Sequence, residues 1–116
     1  MSDDRAAKGR ALLEKLTNNP GAIDRFPERF RDYTLEHLFG DVWQGEALAL
    51  TERSLVTCTI LTALAREPEQ RFAAARRLGI PRDKLVEMIT HAAHYAGWPN
   101  AVGALRSLED VWPSGE

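Results

Sequence analysis

The chain has 116 residues, of which 44% are hydrophobic and 28% are charged, and its formal net charge is −2. This length suits one domain, and the mixed charges form neither the basic stripe of a nucleic-acid-binding protein nor an acidic tail. No run of 18 apolar residues is present, so no membrane span is expected, and the polar N-terminus and single cysteine favour a cytoplasmic protein.

Two helices are predicted before residue 41. Residues 3–17 are rich in Ala, Leu, Lys, Arg and Glu, which are strong helix formers, and the break at Asn18–Gly21 ends this helix. A second helix is predicted over residues 27–38, with Gly40 as the residue that prevents its continuation. The side chains expected to face inward from this part of the chain are Leu12, Leu13, Leu16, Phe26, Phe30, Tyr33 and Leu38.

A connector over residues 39–50 leads to a third predicted helix. The connector holds three large apolar residues (Phe39, Val42 and Trp43), so we expect it to pack down on the fold. Thr51 can cap a helix that runs from Glu52 to about Ala65, although the Thr and Ile content makes a strand the competing interpretation. Its apolar residues recur at roughly helical spacing and are Leu55, Val56, Ile60, Ala63 and Leu64.

Prolines mark the starts of the last three predicted helices, because proline is favoured in the first helical turn. The fourth helix is Pro68–Leu78, the fifth begins at Pro81 and ends before Gly97, and the last is Pro99–Val111. The inward face of the fifth helix is predicted to carry Leu85, Met88, Ile89, Ala92 and Ala93. Residues 113–116 form a tail that we expect to fray. Helices joined by short turns predict an all-α, single-domain bundle of about six helices.

Two histidines on the predicted fifth helix are the clearest candidates for chemistry. His91 and His94 lie three residues apart and therefore share one helix face. Imidazole suits proton transfer at neutral pH, but either residue could instead be a hydrogen-bonded polar group at the edge of the core. A metal site would need a third ligand, such as His37 or Glu87, and the sequence gives no sign of one. We therefore expect no metal and no cofactor.

The third helix carries the other candidates. Cys58 lies among apolar residues, where a buried structural thiol is the first interpretation, since a reactive thiolate needs a nearby cation or base. Arg53 can bind a substrate carboxylate through two hydrogen bonds or form a surface salt bridge, and Glu52 suits the helix N-terminus. Candidate pocket walls or subunit contacts are the aromatic residues Trp43, Tyr95 and Trp98.

Three blocks of sequence carry a resemblance to a known family. They are FGDVW with LTERSLVT (residues 39–57), GIP with LVEMI (residues 79–89) and YAGWPNA (residues 95–101). In order and spacing they resemble blocks of the carboxymuconolactone decarboxylase-like family, and the resemblance covers about residues 26–110. Arg53 falls on the family's RSL arginine, and His91 falls where members carry Gln or His, whereas His94 falls where an apolar residue is usual.

The resemblance implies an alkylhydroperoxidase D-like fold over residues 26–112, with residues 1–25 as an N-terminal helix and linker. Members of this fold assemble into homo-oligomers, either trimers or hexamers. The expected activity is that of a cofactor-free lyase acting on a small carboxylated or lactone substrate by acid–base proton transfer, with His91, His94, Arg53 and Glu52 as its catalytic residues. The family includes the decarboxylase of γ-carboxymuconolactone and CxxC hydroperoxidases.

The chain departs from both patterns at particular positions. Decarboxylase members usually carry a histidine in the fourth helix, whereas residues 69–79 contain none. Glu46 precedes Cys58 by a spacing similar to that of the peroxidase acid and first cysteine, but Leu61 stands where the second cysteine is expected and Ala65 where the histidine is expected. A Cys58-dependent peroxidase or thiol-redox protein, or a non-catalytic small-molecule-binding member, therefore stays as an alternative.

Overall fold

The computed structural model describes residues 2–19, 21–66 and 68–115, and all the regular structure in them is helical. Its α-helices are α1 (Ser2–Thr17), α2 (Glu28–Asp32), α3 (Leu50–Ala63), α4 (Glu69–Arg77), α5 (Arg82–Ala96) and α6 (Trp98–Val111). The all-α prediction is confirmed, with helix starts close to the predicted positions. None of the described helices is long and apolar enough to cross a membrane. Some predicted turn and tail positions lie outside the described residues, namely Pro20, Glu67 and Glu116.

The chain divides into two compact units, residues 1–49 and residues 50–116. In the first unit, a 3-10 turn over Ala22–Arg25 joins α1 to α2, and α2 continues directly as a π-helix over Tyr33–Leu38. A second 3-10 turn, Val42–Gln44, follows. The boundary predicted after residue 25 therefore falls within the first unit.

Two glycines let α1 and the π-helical segment approach backbone to backbone. A β-carbon added at Gly9 would collide with the Leu35 carbonyl oxygen, and one added at Gly40 would collide with the carbonyl oxygens of Arg5 and Leu35. Around this contact the buried side chains are Leu16, Ile23, Leu35 and Phe39. Only residues without a side chain fit at this crossing.

The predicted inward face of the second helix is wrong. Phe26, Phe30, Tyr33 and Leu38 are exposed, and Leu35 and Phe39 are buried instead. For Tyr33 and Leu38 the reason is the π-helical turn, in which the Phe39 N–H bonds to the Thr34 carbonyl five residues back, so the 3.6-residue period does not carry through. In the connector, the rings of Phe39 and half-buried Trp43 lie 5.6 Å apart, as expected, but Val42 is exposed.

The second unit is built on a contiguous apolar cluster. Its fully or nearly buried members are Cys58, Phe72, Ala75, Ile80, Leu85, Ile89, Ala93, Ala101, Ala104 and Leu108. The predicted inward face of α5 is confirmed, since Leu85, Ile89, Ala92 and Ala93 are buried and Met88 packs against the cluster.

The inward face predicted for α3 is wrong except at Leu55, which packs against the cluster. Val56, Ile60 and Leu64 are exposed, and the buried stripe, spaced by four residues, is Ser54, Cys58 and Thr62. Apolar residues are spread around the whole circumference of α3, so their spacing alone does not select the inward face.

The C-terminal segment is held by an arginine–carboxylate network rather than frayed. Arg82 donates through Nε to the Trp112 carbonyl and through Nη2 to Glu109 Oε2, each at 2.8 Å. The Ser114 N–H and hydroxyl both donate to the same Glu109 carboxylate. These contacts order the chain through Ser114.

Candidate functional site

The turn between α5 and α6 positions the candidate site. Gly97 takes φ +103°, a backbone conformation that L side chains rarely adopt, and Pro99 lies in the first turn of α6. Asn100 Nδ2 donates to the Ala63 carbonyl at 3.0 Å and to the Ala96 carbonyl at 3.3 Å. One amide thereby ties the last turns of α3 and α5 together. Sequence reasoning missed Asn100, because nothing in its spacing shows which carbonyls it meets.

Two ring pairs lie on the last turns of α5 and the start of α6, His91 with Tyr95 and His94 with Trp98, and we call these four residues the ring cluster. His91 stacks on Tyr95 with ring centroids 5.2 Å apart, and His94 meets Trp98 nearly perpendicularly at 5.7 Å. All four side chains are exposed, Tyr95 to 84%. The structure thus brings together four of the predicted site residues on an open surface that water and a small molecule can reach.

His94 is held by a main-chain hydrogen bond. Its Nδ1 lies 2.9 Å from the Thr90 carbonyl oxygen, one helical turn back, and the Thr90 hydroxyl is in turn bonded to the Val86 carbonyl. Among the described residues, His91 has no corresponding hydrogen bond. Sequence reasoning missed the part played by Thr90, since it comes from the main chain and not from the residue type.

Glu52 and Arg53 lie in the first turn of α3, Glu52 exposed and Arg53 half-buried. The Ala63 carbonyl, near the end of α3, is hydrogen-bonded to Asn100 in the α5–α6 turn. Arg53 lies ten residues before Ala63, which is about 15 Å along an α-helix. The two predicted catalytic groups therefore stand at the far end of α3 from that turn. Trp43 belongs to the first unit, where its ring contacts Phe39.

Cys58 is fully buried in the core of the second unit. Burial raises the pKa of its thiol to about 12, although nearby Arg71 and a hydrogen bond with Ser54 act in the opposite direction. At neutral pH the thiol is therefore protonated. This environment is typical of a structural cysteine and not of a peroxide-reactive thiolate.

Half-buried Arg71 was not singled out from the sequence, although it lies next to Cys58. Burial lowers the pKa of its guanidinium, and the neighbouring thiol raises it. One turn further along α3, the Thr62 hydroxyl is buried and has no hydrogen-bond partner among the described residues. Ser54, Cys58, Thr62 and Arg71 thus place polar groups inside an otherwise apolar unit, a juxtaposition that only the packing of α4 on α3 creates.

The chemistry available at the ring cluster is proton transfer. Two exposed imidazoles can exchange protons with water, and the neighbouring aromatic faces offer contact area to a small organic molecule. Within the described residues, no group of three or more His, Cys, Asp or Glu side chains is placed to hold a metal ion.

Sequence comparison bears on this part of the chain. The sequence profile of the carboxymuconolactone decarboxylase family matches residues 28–110, from the start of α2 to the last turn of α6. A 4-carboxymuconolactone decarboxylase of Acinetobacter baylyi is 35% identical over 92 residues, which are 78% of this chain and 69% of that protein. The region matched by the family profile includes α3, α5 and the whole ring cluster.

Proposed function

The chain belongs to the carboxymuconolactone decarboxylase family, and from this premise we propose that it is a cofactor-free lyase that decarboxylates a small carboxylated or lactone substrate. The observation that carries the proposal is the pair of exposed histidines at the α5–α6 turn, within the region shared with the family. Because the Acinetobacter relative is a 4-carboxymuconolactone decarboxylase, the first substrate to test is 4-carboxymuconolactone, which is also called γ-carboxymuconolactone.

Decarboxylation needs two things from the protein. When carbon dioxide leaves, the electron pair of the broken C–C bond stays on the substrate, so the developing charge must be stabilised and a proton must be delivered to carbon. The imidazoles of His91 and His94 supply the proton. Arg53 is the proposed carboxylate-binding residue, because a guanidinium can hold a carboxylate through two parallel hydrogen bonds. Its place at the far end of α3 from the α5–α6 turn gives this role no geometric support, so it is tested separately from the histidines.

The surroundings of Cys58 lend no support to the peroxidase alternative. Attack on a peroxide requires a thiolate in contact with solvent, whereas Cys58 is fully buried and burial raises its pKa to about 12. We therefore propose a structural role for this cysteine.

We also propose that the chain works as a homo-oligomer, a trimer or a hexamer. The support is the number of exposed large apolar side chains, since such side chains mark association surfaces when they gather in patches. In residues 1–49 they include Phe26, Phe30 and Tyr33, and in residues 50–116 they include Val56, Ile60 and Leu64. Sedimentation equilibrium tests the proposal, and a mass of 13.0 kDa at micromolar concentration would contradict it.

The central experiment follows carbon dioxide release from 4-carboxymuconolactone. We expect turnover by the wild type, a loss of at least about 100-fold in kcat for the His91→Ala/His94→Ala double variant, and unchanged turnover for Lys84→Gln, an exposed control on the same helix. Arg53→Lys is expected to raise KM more than it lowers kcat. Full activity of the double variant would refute the histidine assignment. Binding detected by calorimetry without any turnover would instead identify a non-catalytic binding member.

A further inference from the structure

The two histidines of the ring cluster are held differently. The imidazole of His94 has two contacts: the Thr90 carbonyl oxygen lies 2.9 Å from Nδ1, and the Trp98 ring stands at 84° to the imidazole plane. His91 is in contact with Tyr95, a side chain that is itself 84% exposed. Two residues of the same type, one turn apart, therefore differ in how narrowly their ring nitrogens are oriented.

The partner of Nδ1 determines where the neutral ring carries its proton. A carbonyl oxygen has no hydrogen to give, so Nδ1 must be the donor in this contact. Neutral His94 is thereby held as the Nδ1–H tautomer, and the lone pair is on Nε2. Nε2 is the nitrogen that gains and gives up a proton, while Nδ1 keeps its hydrogen bond throughout.

From this geometry, and resting on the proposed function, we infer that His94 is the proton donor of the decarboxylation and that the Thr90 carbonyl and Trp98 are its positioning groups. In the reacting state His94 is an imidazolium. The substrate C–C bond breaks, carbon dioxide leaves, and the electron pair remains on the substrate carbon. A C–H bond then forms with the Nε2 proton. Neutral His94 then takes up one proton from the bulk solvent, to which its exposed side chain has access, so each turnover consumes one solvent proton and the charge of the lost carboxylate is balanced.

Trp98 positions His94 through the turn that follows α5. Gly97 reverses the chain at φ +103°, and the Asn100 amide holds the turn against Ala63 and Ala96. Trp98, the first residue of α6, is thereby set against the imidazole of a residue four positions earlier. We expect loss of this ring to release rotation of the His94 side chain about its χ angles and to weaken the Nδ1 contact.

The first test reads the tautomer without any substrate. Nitrogen-15 NMR of the wild-type protein at a pH where the histidines are neutral should show His94 protonated at Nδ1. Trp98→Ala should shift the tautomer mixture toward Nε2–H, and Trp98→Phe, which keeps a ring, should restore the wild-type signal. An Nε2–H tautomer in the wild type would overturn the positioning part of the inference.

The second test separates the two histidines by turnover. We expect His94→Gln to lower kcat by about 100-fold and His91→Gln by about tenfold at most, with Lys84→Gln, an exposed position two turns before His91, as the unaffected control. Trp98→Ala should lower kcat by about tenfold whatever its effect on KM, and Trp98→Phe should recover most of the lost kcat. A larger loss from His91→Gln, or a Trp98→Ala variant altered in KM alone, would overturn the assignment. If the wild type releases no carbon dioxide, the proposed function fails and the proton-donor role fails with it, even where NMR finds the Nδ1–H tautomer.

Discussion

In residues 1–49 the main helices meet backbone to backbone, whereas in residues 50–116 they meet through buried side chains. The first unit depends on the missing side chains of Gly9 and Gly40, and it leaves Phe26, Phe30 and Tyr33 exposed. The second unit buries a contiguous set of apolar residues contributed by α3, α4, α5 and α6. A helix contact can therefore be made specific either by the shape of the backbone or by the volume of the core, and the two solutions should fail in different ways.

The largest effect is expected from emptying the core of the second unit. Phe72 is fully buried, so Phe72→Ala removes most of a ring and leaves a cavity, at a cost of about 4 kcal/mol in the free energy of unfolding. Urea denaturation followed by circular dichroism measures it. Phe72→Leu, which keeps most of the volume, serves as the control and should cost far less. A loss below about 1 kcal/mol for Phe72→Ala would mean that volume is not what stabilises this unit.

In the first unit a smaller loss of stability is expected from the opposite change, the addition of a single carbon atom. Gly9→Ala places a β-carbon against a carbonyl oxygen that cannot move without its helix, so we expect a loss of about 3 kcal/mol. Gly103→Ala is the matched control, because Gly103 is also helical but has open space around it. It should gain about 0.5 kcal/mol from helix propensity. Equal effects at the two glycines would contradict the backbone-contact interpretation.

The buried thiol of Cys58 should make the free energy of unfolding of the second unit depend on pH. Unfolded Cys58 ionises near its ordinary pKa of 9.0, whereas in the folded protein burial raises the pKa to about 12. Its contribution to stability is therefore complete below pH 9 and is lost as the pH rises toward 12, and the loss amounts to about 1–2 kcal/mol by pH 10. Wild type should lose this much more stability than Cys58→Ala between pH 8 and pH 10 in parallel urea titrations. Parallel curves for the two proteins would rule out a protonated buried thiol.

The smallest effects are expected from two surface ion pairs, Arg10–Asp24 in the first unit and Arg82–Glu109 in the second. The pKa of Asp24 is lowered mainly by its hydrogen bond with Arg10, and that of Glu109 mainly by its bonds with Ser114. A lowered carboxyl pKa contributes stability above the ordinary value, and this is lost as the pH falls through the folded value. Asp24→Asn and Glu109→Gln should each lower Tm slightly at pH 7 and not at all once both carboxyls are protonated. Because Glu109 also holds Ser114, its variant should show the larger decrease.

Helix number and helix ends were predictable, because they depend on local chemistry. Pro68, Pro81 and Pro99 stand at or next to the starts of α4, α5 and α6, and Gly97 separates the last two helices. The inward faces of α2 and α3 were not predictable. A π-helical turn changes the period in one, and apolar residues surround the other, so the buried face is chosen by contacts between helices that no local pattern reports.

The candidate site also has features that the sequence predicts and features that it does not. The spacing of His91 and His94 predicts a shared face, and the structure places both in one ring cluster. The Thr90 carbonyl and the Asn100 amide could not be anticipated, because a main-chain acceptor is available at every residue and only the fold decides which one is used. The pairing of Arg71 with Cys58 likewise requires α4 to lie against α3.

The close approach at Gly9 and Gly40 has a consequence for the gene. All glycine codons differ only in their third base, so third-position changes at these two codons are silent. Every change in the first or second base either adds at least a β-carbon, at a place where the neighbouring carbonyl oxygens leave no room for one, or creates a stop codon. We therefore expect natural variation at these two codons to be synonymous, even while the neighbouring exposed codons of α1 drift freely.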